Sequence, residues 1–354
     1  MNKILFLALA LVVASCHKKT KQTKAHTPVS IESIIEKNAN LLLQDKRFHS
    51  LSIGIYKNGK KVIRHFGELK IGEGIPPNDS TIYELASVTK TFLGTLAAKA
   101  VLEQKIKLQD DIRKYLPQPY PNLAFEQSPI TIQHLLTHTS GFPNFPPDGD
   151  SKAGFWEGLK QLNIKDKPGS RYRYSNTAPE VMAYILEKVY QKPYETLLQE
   201  YILNPLQMKQ TSFVLDQQAK KRLVKGYNGD NQLMPNFERK LWGGMGGLHA
   251  TVGDMLKYAK YHLNESNQVV KTSHQAFFET PYDFEIGYYW NILKNAETTV
   301  YRHHGGIFGM QNWFMLYPKH QLGISIFTNV SFERTGEVLE KVAGKIYDQI
   351  IEMQ

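Results

Sequence analysis

Alternating apolar and polar positions mark β-strands near both ends of the chain. Near the N-terminal end, residues 51–56 alternate as Leu-Ser-Ile-Gly-Ile-Tyr, and residues 61–66 form a second such segment after Asn58-Gly59. Asn-Gly between two strand-like segments is a strong signal for a β-hairpin. Near the C-terminal end, residues 311–317 and 322–328 form another pair, separated by a Pro-Lys-His turn. The pattern therefore predicts one hairpin at each end of the chain.

Between these hairpins, apolar residues recur at helical spacing and are separated by long loops rich in proline and glycine. The segment after Ser87 predicts an amphipathic helix, because positions 92, 93, 96, 97, 100 and 101 are apolar. We expect further helices over 30–47, 177–189, 194–201, 253–263 and 337–352. Strands at both ends with helices between them predict an α/β domain that is divided in sequence around a helical lobe. We place the α/β part at about 29–86 and 275–354, and the mostly helical lobe at about 87–274.

The overall composition is that of a globular protein with a sizeable core, since 42% of the 354 residues are hydrophobic and 21% are charged. The formal net charge is +10, and part of this excess lies in the basic stretch 17–24. Nucleic-acid binding requires basic residues interleaved with aromatic ones on a folded face, a pattern that we do not find. We therefore interpret residues 17–28 as a solvated basic tether and predict no nucleic-acid partner.

Residues 1–16 have the features of an export signal. Lys3 supplies the positive start, and the apolar run 4–13 is shorter than the roughly 20 residues that a membrane-spanning helix needs. The run ends in Val13-Ala-Ser-Cys16, which resembles a bacterial lipobox, and Cys16 is the only cysteine. We predict that Cys16 carries lipid and anchors the protein in the cell envelope, at the periplasmic face of the outer membrane if the source is Gram-negative. The alternative is an ordinary secretory peptide with an incidental cysteine.

A serine and a lysine three residues apart, Ser87-Val-Thr-Lys90, form the first candidate catalytic pair. A serine hydroxyl is a weak nucleophile until a neighbouring base takes its proton, and residues i and i+3 share one face of a helix. A serine in the first helical turn also lies at the positive end of the helix dipole, which favours a forming alkoxide. The spacing alone is common, since Ser15-Cys-His-Lys18 fits it too, but Ser87 directly precedes a strong helical pattern. We therefore predict a nucleophile at Ser87 with Lys90 as its base.

Two further short motifs can supply the remaining groups of a hydrolase site. Tyr174-Ser-Asn176 precedes a predicted helix, where the tyrosine can share protons with Lys90 and the asparagine amide can hold a substrate carbonyl. His303-His-Gly305 is followed by Gly306 and then by the last hairpin. At a glycine-rich strand edge a backbone N–H can approach the substrate closely. Paired with the N–H of Ser87, the N–H of Gly306 would form an oxyanion hole.

Longer signatures surround these motifs, and they resemble the serine β-lactamase-related superfamily. Within it, the similar group contains class C β-lactamases, D-aminopeptidases, D,D-peptidases and family VIII esterases. The resemblance runs from about Ile31 to the C-terminal helix. It rests on Thr131-Ile-Gln-His-Leu-Leu-Thr-His-Thr-Ser-Gly-Phe142, Pro168-Gly-Ser-Arg-Tyr-Arg-Tyr-Ser-Asn176, Asn204-Pro-Leu-Gln-Met208 with Thr211, and Gly243-Gly-Met-Gly-Gly-Leu248 with Asp254.

The resemblance implies a β-lactamase/transpeptidase-like fold, in which helices flank an antiparallel sheet and a mostly helical lobe is inserted. It implies a cofactor-free serine hydrolase that cleaves ester or amide bonds through an acyl-enzyme. Ser87 would be the nucleophile, Lys90 and Tyr174 would share the acid/base role, and Asn176 would orient the substrate. The backbone N–H groups of Ser87 and Gly306 would bind the oxyanion.

The third motif departs from the pattern of true β-lactamases. They usually carry Lys-Thr-Gly where this chain has His303-His304-Gly305. The lysine helps to hold a substrate carboxylate, whereas histidine is mostly neutral at neutral pH. The difference favours an esterase or a D-amino-acid peptidase, with His303 and Gly305 among the substrate-binding residues. A weak β-lactamase and a non-hydrolytic penicillin-binding or sensor module are the alternatives.

Other candidate ligand sites in the sequence are weak. His134 and His138 have the i, i+4 spacing of a metal-binding pair but lack the adjacent glutamate of His-Glu-x-x-His. No glycine-rich nucleotide motif occurs, so we predict neither a metal nor a cofactor. We expect a small-molecule or peptide substrate. Its identity and the oligomeric state stay open at this point.

Overall fold

A computed structural model describes residues 29–353 of the chain. The predicted signal segment, Cys16 and the tether at 17–28 lie outside the described residues. Within 29–353, no helix combines the length and the apolar character that crossing a bilayer requires. The helices are α1 (Ile31–Leu42), α2 (Thr89–Leu102), α3 (Ile132–Leu136), α4 (Lys152–Lys160), α5 (Thr177–Tyr190), α6 (Tyr194–Leu198), α7 (Gln217–Lys220), α8 (Val252–His262), α9 (Gln268–Ser273) and α10 (Thr335–Glu352). The strands are β1 (Ser50–Lys57), β2 (Lys60–Gly67), β3 (Tyr83–Glu84), β4 (Ala124–Phe125), β5 (Ser128–Pro129), β6 (Gly226–Asn228), β7 (Leu233–Met234), β8 (His249–Ala250), β9 (Phe278–Glu279), β10 (Glu285–Gly287), β11 (Trp290–Lys294), β12 (Thr299–Ile307), β13 (Met310–Tyr317), β14 (Leu322–Thr328) and β15 (Val330–Ser331).

The main sheet is antiparallel and joins the two ends of the chain. Its strand order is β2-β1-β14-β13-β12-β11-β10-β9. β1 pairs with β14, so the N-terminal hairpin is hydrogen-bonded directly to the C-terminal one. Asn58 and Gly59 join β1 to β2 with φ values of 47° and 88°, and a two-residue turn with positive φ matches the twist of the paired strands. Both predicted hairpins are therefore present, and the sheet unites them.

Strand β1 shows why the alternating pattern predicted this sheet. Leu51, Ile53 and Ile55 point into a core that α1 and α10 cover. Burying one such side chain contributes about 1.5–3 kcal/mol to folding. Gly54 points to the opposite face, where a Cβ would lie 2.5 Å from a methyl carbon of Val252 in α8. Helices therefore cover both faces, and every residue of β1 is buried.

Helix α8 corrects the predicted domain boundary. The sequence placed α8 in the helical lobe at 87–274, yet α8 packs on β1 and β14 of the sheet. Glycines at the contact allow this close approach, because a Cβ at Gly323 would lie 2.7 Å from Cβ of Ala259. The boundary at residue 274 is therefore wrong for α8, which belongs by packing to the α/β part.

Helix α2 differs from the amphipathic helix that the sequence predicts. It is buried on nearly all sides, since its positions 89–98 are all inaccessible to solvent. Gly94 lies against the backbone of Tyr288, where any Cβ would overlap the carbonyl oxygen. The hydroxyls of Thr91 and Thr95 donate 2.8 Å hydrogen bonds to carbonyls of the preceding turn, which satisfies them without solvent. A helix enclosed in this way holds the residues at its N-terminal end rigidly.

Candidate active site

Ser87 lies in a tight turn that directly precedes α2. The turn, Ala86–Val88, is a single 3-10 turn, so Ser87 stands just before the helix that was expected to carry it. Ala86 has φ 47°, a left-handed conformation that is uncommon for residues with a Cβ. Two contacts hold the turn against the sheet. Asn312 of β13 donates to the carbonyl of Leu85 at 3.3 Å, and Gly305 of β12 lies against the same carbonyl, where a Cβ would overlap it.

The predicted residues Lys90 and Tyr174 both contact the Ser87 hydroxyl, and Asn176 contacts Lys90. Lys90 Nζ donates to Ser87 Oγ at 3.0 Å, and the Tyr174 hydroxyl donates to the same oxygen at 2.8 Å. Lys90 is 0% exposed, and its Nζ also donates to Asn176 Oδ1 at 2.7 Å and to the Met245 carbonyl at 2.5 Å. The three N–H donors of the ammonium group are thus all used. The arrangement places two proton-carrying groups next to one hydroxyl.

The segment that carries Tyr174 is fixed by the loop that follows α3. His138 lies with its ring centroid 4.5 Å from that of Tyr174, and its Nδ1 accepts the backbone N–H of Ser175 at 3.2 Å. Burial lowers the pKa of His138 well below its ordinary value, so the ring is neutral. Asn176 is held through Asn144, whose carbonyl accepts the Asn176 N–H at 2.6 Å. His138 therefore supports the tyrosine, a role that the sequence did not reveal.

The other histidine of the candidate metal pair lies in a separate environment. His134 Nδ1 accepts the Thr131 N–H at 3.1 Å, and burial lowers the pKa of His134 to about 4. Within residues 29–353, no three His, Cys, Asp or Glu side chains are arranged to hold a metal ion.

The third motif lies on β12 near Ser87 and Lys90, and its residues differ in how deeply they are buried. His303 is only 4% exposed, and its Nδ1 donates to the His304 carbonyl at 2.7 Å. Burial, and then the nearby Lys90, lowers the pKa of His303 to about 3, so this ring is neutral. Gly306 borders the cavity that contains Ser87, whereas His303 and Gly305 do not. His303 is thus buried, and Gly305 packs on the backbone of Leu85, while their predicted part in substrate binding stays a prediction.

The cavity next to Ser87 has a volume of about 490 Å³ and an uncharged wall. Ser87, Asn176 and Gly306 all border it. Of the residues that the structure describes, none of those bordering this cavity carries a charged side chain. Phe145 and Phe308 are 69% and 54% exposed at its mouth. Its apolar wall consists of Phe145, Met234, Phe237, Met245, Ile307 and Phe308.

A second cavity of about 410 Å³ adjoins the first and shares its aromatic residues. This second cavity does contain cations, but they are paired. Lys240 lies 2.8 Å from Asp150, and Arg239 lies 3.1 Å from Glu195. The two cationic side chains that border this second cavity are thus each paired with a carboxylate.

Two residues at the site were not predicted from the sequence. The Met245 carbonyl accepts from Lys90, and Glu180 accepts the Met245 N–H at 2.8 Å. Met245 lies within the 243–248 signature, which marked the segment but not this contact. Glu180 carried no signal, because a single glutamate on a helix is usually a solvent-exposed residue.

An antiparallel sheet between helical layers, with Ser87, Lys90 and Tyr174 joined beside its inner strands β12 and β13, is the arrangement of a serine hydrolase with the β-lactamase fold. The chain belongs to the Beta-lactamase family, whose family model matches residues 35–348. This confirms the predicted resemblance.

Known relatives extend over most of the chain. D-alanyl-D-alanine-carboxypeptidase/endopeptidase AmpH of Escherichia coli (strain K12) is 26% identical over 285 residues, which cover 78% of this chain and 73% of AmpH. A Beta-lactamase of Providencia stuartii is 28% identical over 277 residues, covering 78% of this chain and 69% of the relative. Protein flp of Staphylococcus aureus (strain MRSA252) is 27% identical over 333 residues, covering 89% of this chain and 66% of flp.

Solved structures confirm the predicted fold class. A Beta-lactamase/D-alanine carboxypeptidase from Yersinia pestis, complexed with citrate, superposes with a TM-score of 0.81 at 23% identity and covers 91% of this chain and 98% of its own. A class C beta-lactamase superposes with a TM-score of 0.81 at 20% identity, covering 90% of this chain and 96% of its own.

Proposed function

We propose that this protein is an esterase or D-amino-acid peptidase that cleaves neutral acyl donors through an acyl-enzyme on Ser87. The observation that carries the proposal is the joining of two proton carriers to one serine hydroxyl at the wall of an uncharged cavity. Ser87 Oγ has Lys90 Nζ at 3.0 Å and the Tyr174 hydroxyl at 2.8 Å. Such distances are within the reach that general acid–base catalysis requires.

In the proposed acylation step, the Lys90–Tyr174 pair first gives up one proton to solvent. Ser87 Oγ then attacks the carbonyl carbon of the substrate, and the serine proton passes to the pair. The carbonyl oxygen becomes an anion, which the N–H groups of Ser87 and Gly306 bind. The bond to the leaving group then breaks, and the departing alcohol or amine takes the proton from the pair. Lys90 Nζ lies 5.1 Å from the centre of the Tyr174 ring, close enough for its charge to stabilise a transient phenolate.

In the proposed deacylation step, a water molecule attacks the acyl-enzyme carbonyl. The Lys90–Tyr174 pair takes one proton from the water and returns it to Ser87 Oγ as the ester bond to the serine breaks. The products are the free acid and the regenerated serine. All of these steps use groups of this chain, so the proposed mechanism needs no cofactor.

The substrate preference follows from charge. β-Lactams carry a carboxylate, and a hydrogen bond between a carboxylate and a cation contributes about 1.5–3 kcal/mol, or roughly tenfold to a hundredfold in affinity. The cavity has no cation among its described wall residues, and His303 behind it is neutral. We therefore expect neutral esters to be cleaved faster than penicillins or cephalosporins.

Three substrates test the proposal on one purified preparation: p-nitrophenyl butyrate, a D-alanyl p-nitroanilide and nitrocefin. We expect kcat/KM to be highest for the butyrate ester and lowest for nitrocefin. The D-alanyl substrate is included because AmpH is named as a carboxypeptidase. Ser87→Ala is the control, and activity that survives this substitution would reject the proposed nucleophile.

The two alternatives give different results in the same assay. A weak β-lactamase, which the Providencia relative suggests, would prefer nitrocefin over the ester. A non-hydrolytic penicillin-binding or sensor module would release one equivalent of product and then stop. Multiple turnovers with the ester exclude the sensor, and the order of the kcat/KM values excludes the β-lactamase.

We also propose that Cys16 is lipidated and that the tether at 17–28 links the catalytic domain to the membrane. The support is the Val13-Ala-Ser-Cys16 motif after a short apolar run. Two or more acyl chains suffice for stable anchoring. Mass spectrometry of the membrane-extracted protein is expected to show a diacylglyceryl group on an N-terminal cysteine. Recovery of unmodified protein that starts at another residue would contradict the anchor.

A further inference from the structure

Glu180 is a buried carboxylate that the proposed chemistry does not use. It lies in the first turn of α5, shortly after Asn176, and is 0% exposed. Its carboxylate accepts three backbone N–H groups, from Trp242 at 2.8 Å, Gly243 at 3.0 Å and Met245 at 2.8 Å. A buried carboxylate is expensive unless such partners surround it. The geometry therefore shows a carboxylate dedicated to one loop.

That loop leads directly to the catalytic lysine. Met245 is one of the three residues whose N–H binds Glu180, and the Met245 carbonyl accepts the 2.5 Å hydrogen bond from Lys90 Nζ. A single residue thus joins the carboxylate to the ammonium group. The same ammonium group is 3.0 Å from Ser87 Oγ.

We propose that Glu180 is a positioning residue for the reaction at Ser87. It fixes the Met245 carbonyl against Lys90 and, as an anion, balances the lysine charge, so that Nζ stays at the serine hydroxyl. This inference rests on the proposed role of Ser87 as nucleophile. It assigns to Glu180 no contact with substrate.

The histidines and tyrosines around this pair are neutral, whereas Arg239, which donates to the Trp242 carbonyl at 3.3 Å, is charged and is paired with Glu195 at 3.1 Å. His138 and His303 lie near Lys90, and burial keeps the pKa of both well below the ordinary histidine value. Near Glu180, burial raises the pKa of Tyr194 and of Tyr289 well above the ordinary tyrosine value. Burial raises the pKa of Glu180 above its ordinary value, and the three N–H donors and the charge of Lys90 oppose that rise. Removal of this anion therefore changes the charge balance at Lys90 and Tyr174.

Glu187 offers a matched control on the same helix. Its carboxylate accepts the Trp242 indole N–H at 2.9 Å and the Tyr194 N–H at 2.8 Å. Glu187 therefore holds the same loop through Trp242 but has no hydrogen bond to Met245. A purely structural role for α5 carboxylates would make Glu187→Gln and Glu180→Gln behave alike.

The test is the second-order rate constant with which a fluorophosphonate probe labels Ser87, measured from pH 5 to pH 9 on the full-length protein. In Glu180→Gln, the remaining carbonyl oxygen can still accept the N–H groups of Trp242 and Gly243. The amide NH₂ takes the place of the other oxygen and cannot accept the Met245 N–H. We expect labelling to slow by roughly tenfold to a hundredfold, the factor for losing one hydrogen bond to a charged group. We also expect the pH profile of labelling to move to lower pH, because losing a negative charge near the site favours loss of a proton from it. Glu187→Gln is expected to label at nearly the wild-type rate with the wild-type profile.

Equal labelling rates and profiles in wild type and folded Glu180→Gln would overturn the proposal, and so would equal losses in the two glutamine variants. If Glu180→Gln does not fold, Glu180→Asp replaces it, since aspartate keeps the charge on a shorter side chain. We expect the aspartate variant to label more slowly than wild type with an unshifted profile, and a wild-type rate would overturn the proposal. Labelling needs no natural substrate, so the role of Glu180 can be measured even if the proposed function is wrong. Wild-type protein that is labelled but cleaves no ester would reject the proposed function alone.

Discussion

Acid is expected to destabilise this fold through histidines that are buried in the neutral form, and His274 allows the effect to be calculated. His274 Nε2 lies 3.1 Å from His262 Nδ1, and its ring stacks on Tyr301 with 3.8 Å between centroids. Burial lowers the pKa of His274 to about 3, whereas an unfolded chain has a histidine pKa of about 6.5. As the pH falls, His274 is therefore protonated in the unfolded state before it is protonated in the folded state. The contribution of neutral His274 to folding stability is complete above pH 6.5 and is lost as the pH falls toward 3.

The size of the loss follows from the two pKa values. At pH 5 the unfolded histidine is almost fully protonated and the folded one is not, which favours unfolding by about 2 kcal/mol. His303, whose pKa burial also lowers to about 3, adds a second contribution of about 2 kcal/mol. Together the two histidines lower the free energy of unfolding by a large share of the roughly 5–15 kcal/mol that is typical of proteins.

Urea unfolding at pH 7.5 and pH 5.0 measures this loss in wild type and in His274→Phe. Phenylalanine keeps a ring against Tyr301 but cannot take up a proton. In both proteins we expect the free energy of unfolding to be lower at pH 5.0 than at pH 7.5. We expect this decrease to be smaller in His274→Phe than in wild type by about 2 kcal/mol. The comparison uses the pH dependence, so any general destabilisation by the substitution cancels. An equal fall in both proteins would refute the assignment of the acid sensitivity to His274.

Three further substitutions test separate parts of the account. His303→Lys is expected to raise the ratio of kcat/KM for nitrocefin to that for p-nitrophenyl butyrate by roughly tenfold, because it adds a cation behind the cavity. In wild type this ratio should not change between pH 8 and pH 6, since His303 stays neutral. Gly54→Val should destabilise the fold by about 1–3 kcal/mol in urea, because its side chain would overlap Val252 of α8. Gly344→Ala, in the middle of α10 with no atom within 4 Å of the added Cβ, should stabilise it by about 0.5–1 kcal/mol. Destabilisation by Gly344→Ala, or none by Gly54→Val, would contradict the packing described here.

The sequence predicted the sheet because strand β1 obeys a strict two-residue period. Leu51, Ile53 and Ile55 alternate with residues that face α8, and Asn58-Gly59 has the chemistry of a tight turn. The same approach failed for α2, because a helix enclosed on all sides has no polar face from which to define a period. It also misplaced α8, whose packing depends on two glycines that are distant in sequence, Gly54 and Gly323.

The candidate site was predictable where side chains carry the chemistry. Ser87, Lys90, Tyr174 and Asn176 were found from their motifs, and the structure brings all four together. The contact from Lys90 to Met245 was not predictable, because its acceptor is a backbone carbonyl that any residue possesses. The depth of an individual residue was also hidden from the sequence, since His303 and Gly305, which it placed among the substrate-binding residues, do not border the cavity.

Acylation of Ser87 is tested most directly by the mass of the intact protein after it is quenched in acid during turnover of p-nitrophenyl butyrate. We expect a fraction of the protein to be heavier by one butyryl group, with the added group on the peptide that contains Ser87. Ser87→Ala should show neither the added mass nor hydrolysis, while Lys90→Ala should stay folded and lose most of its turnover. Undiminished hydrolysis by Ser87→Ala, or an acyl group on another residue, would contradict the account.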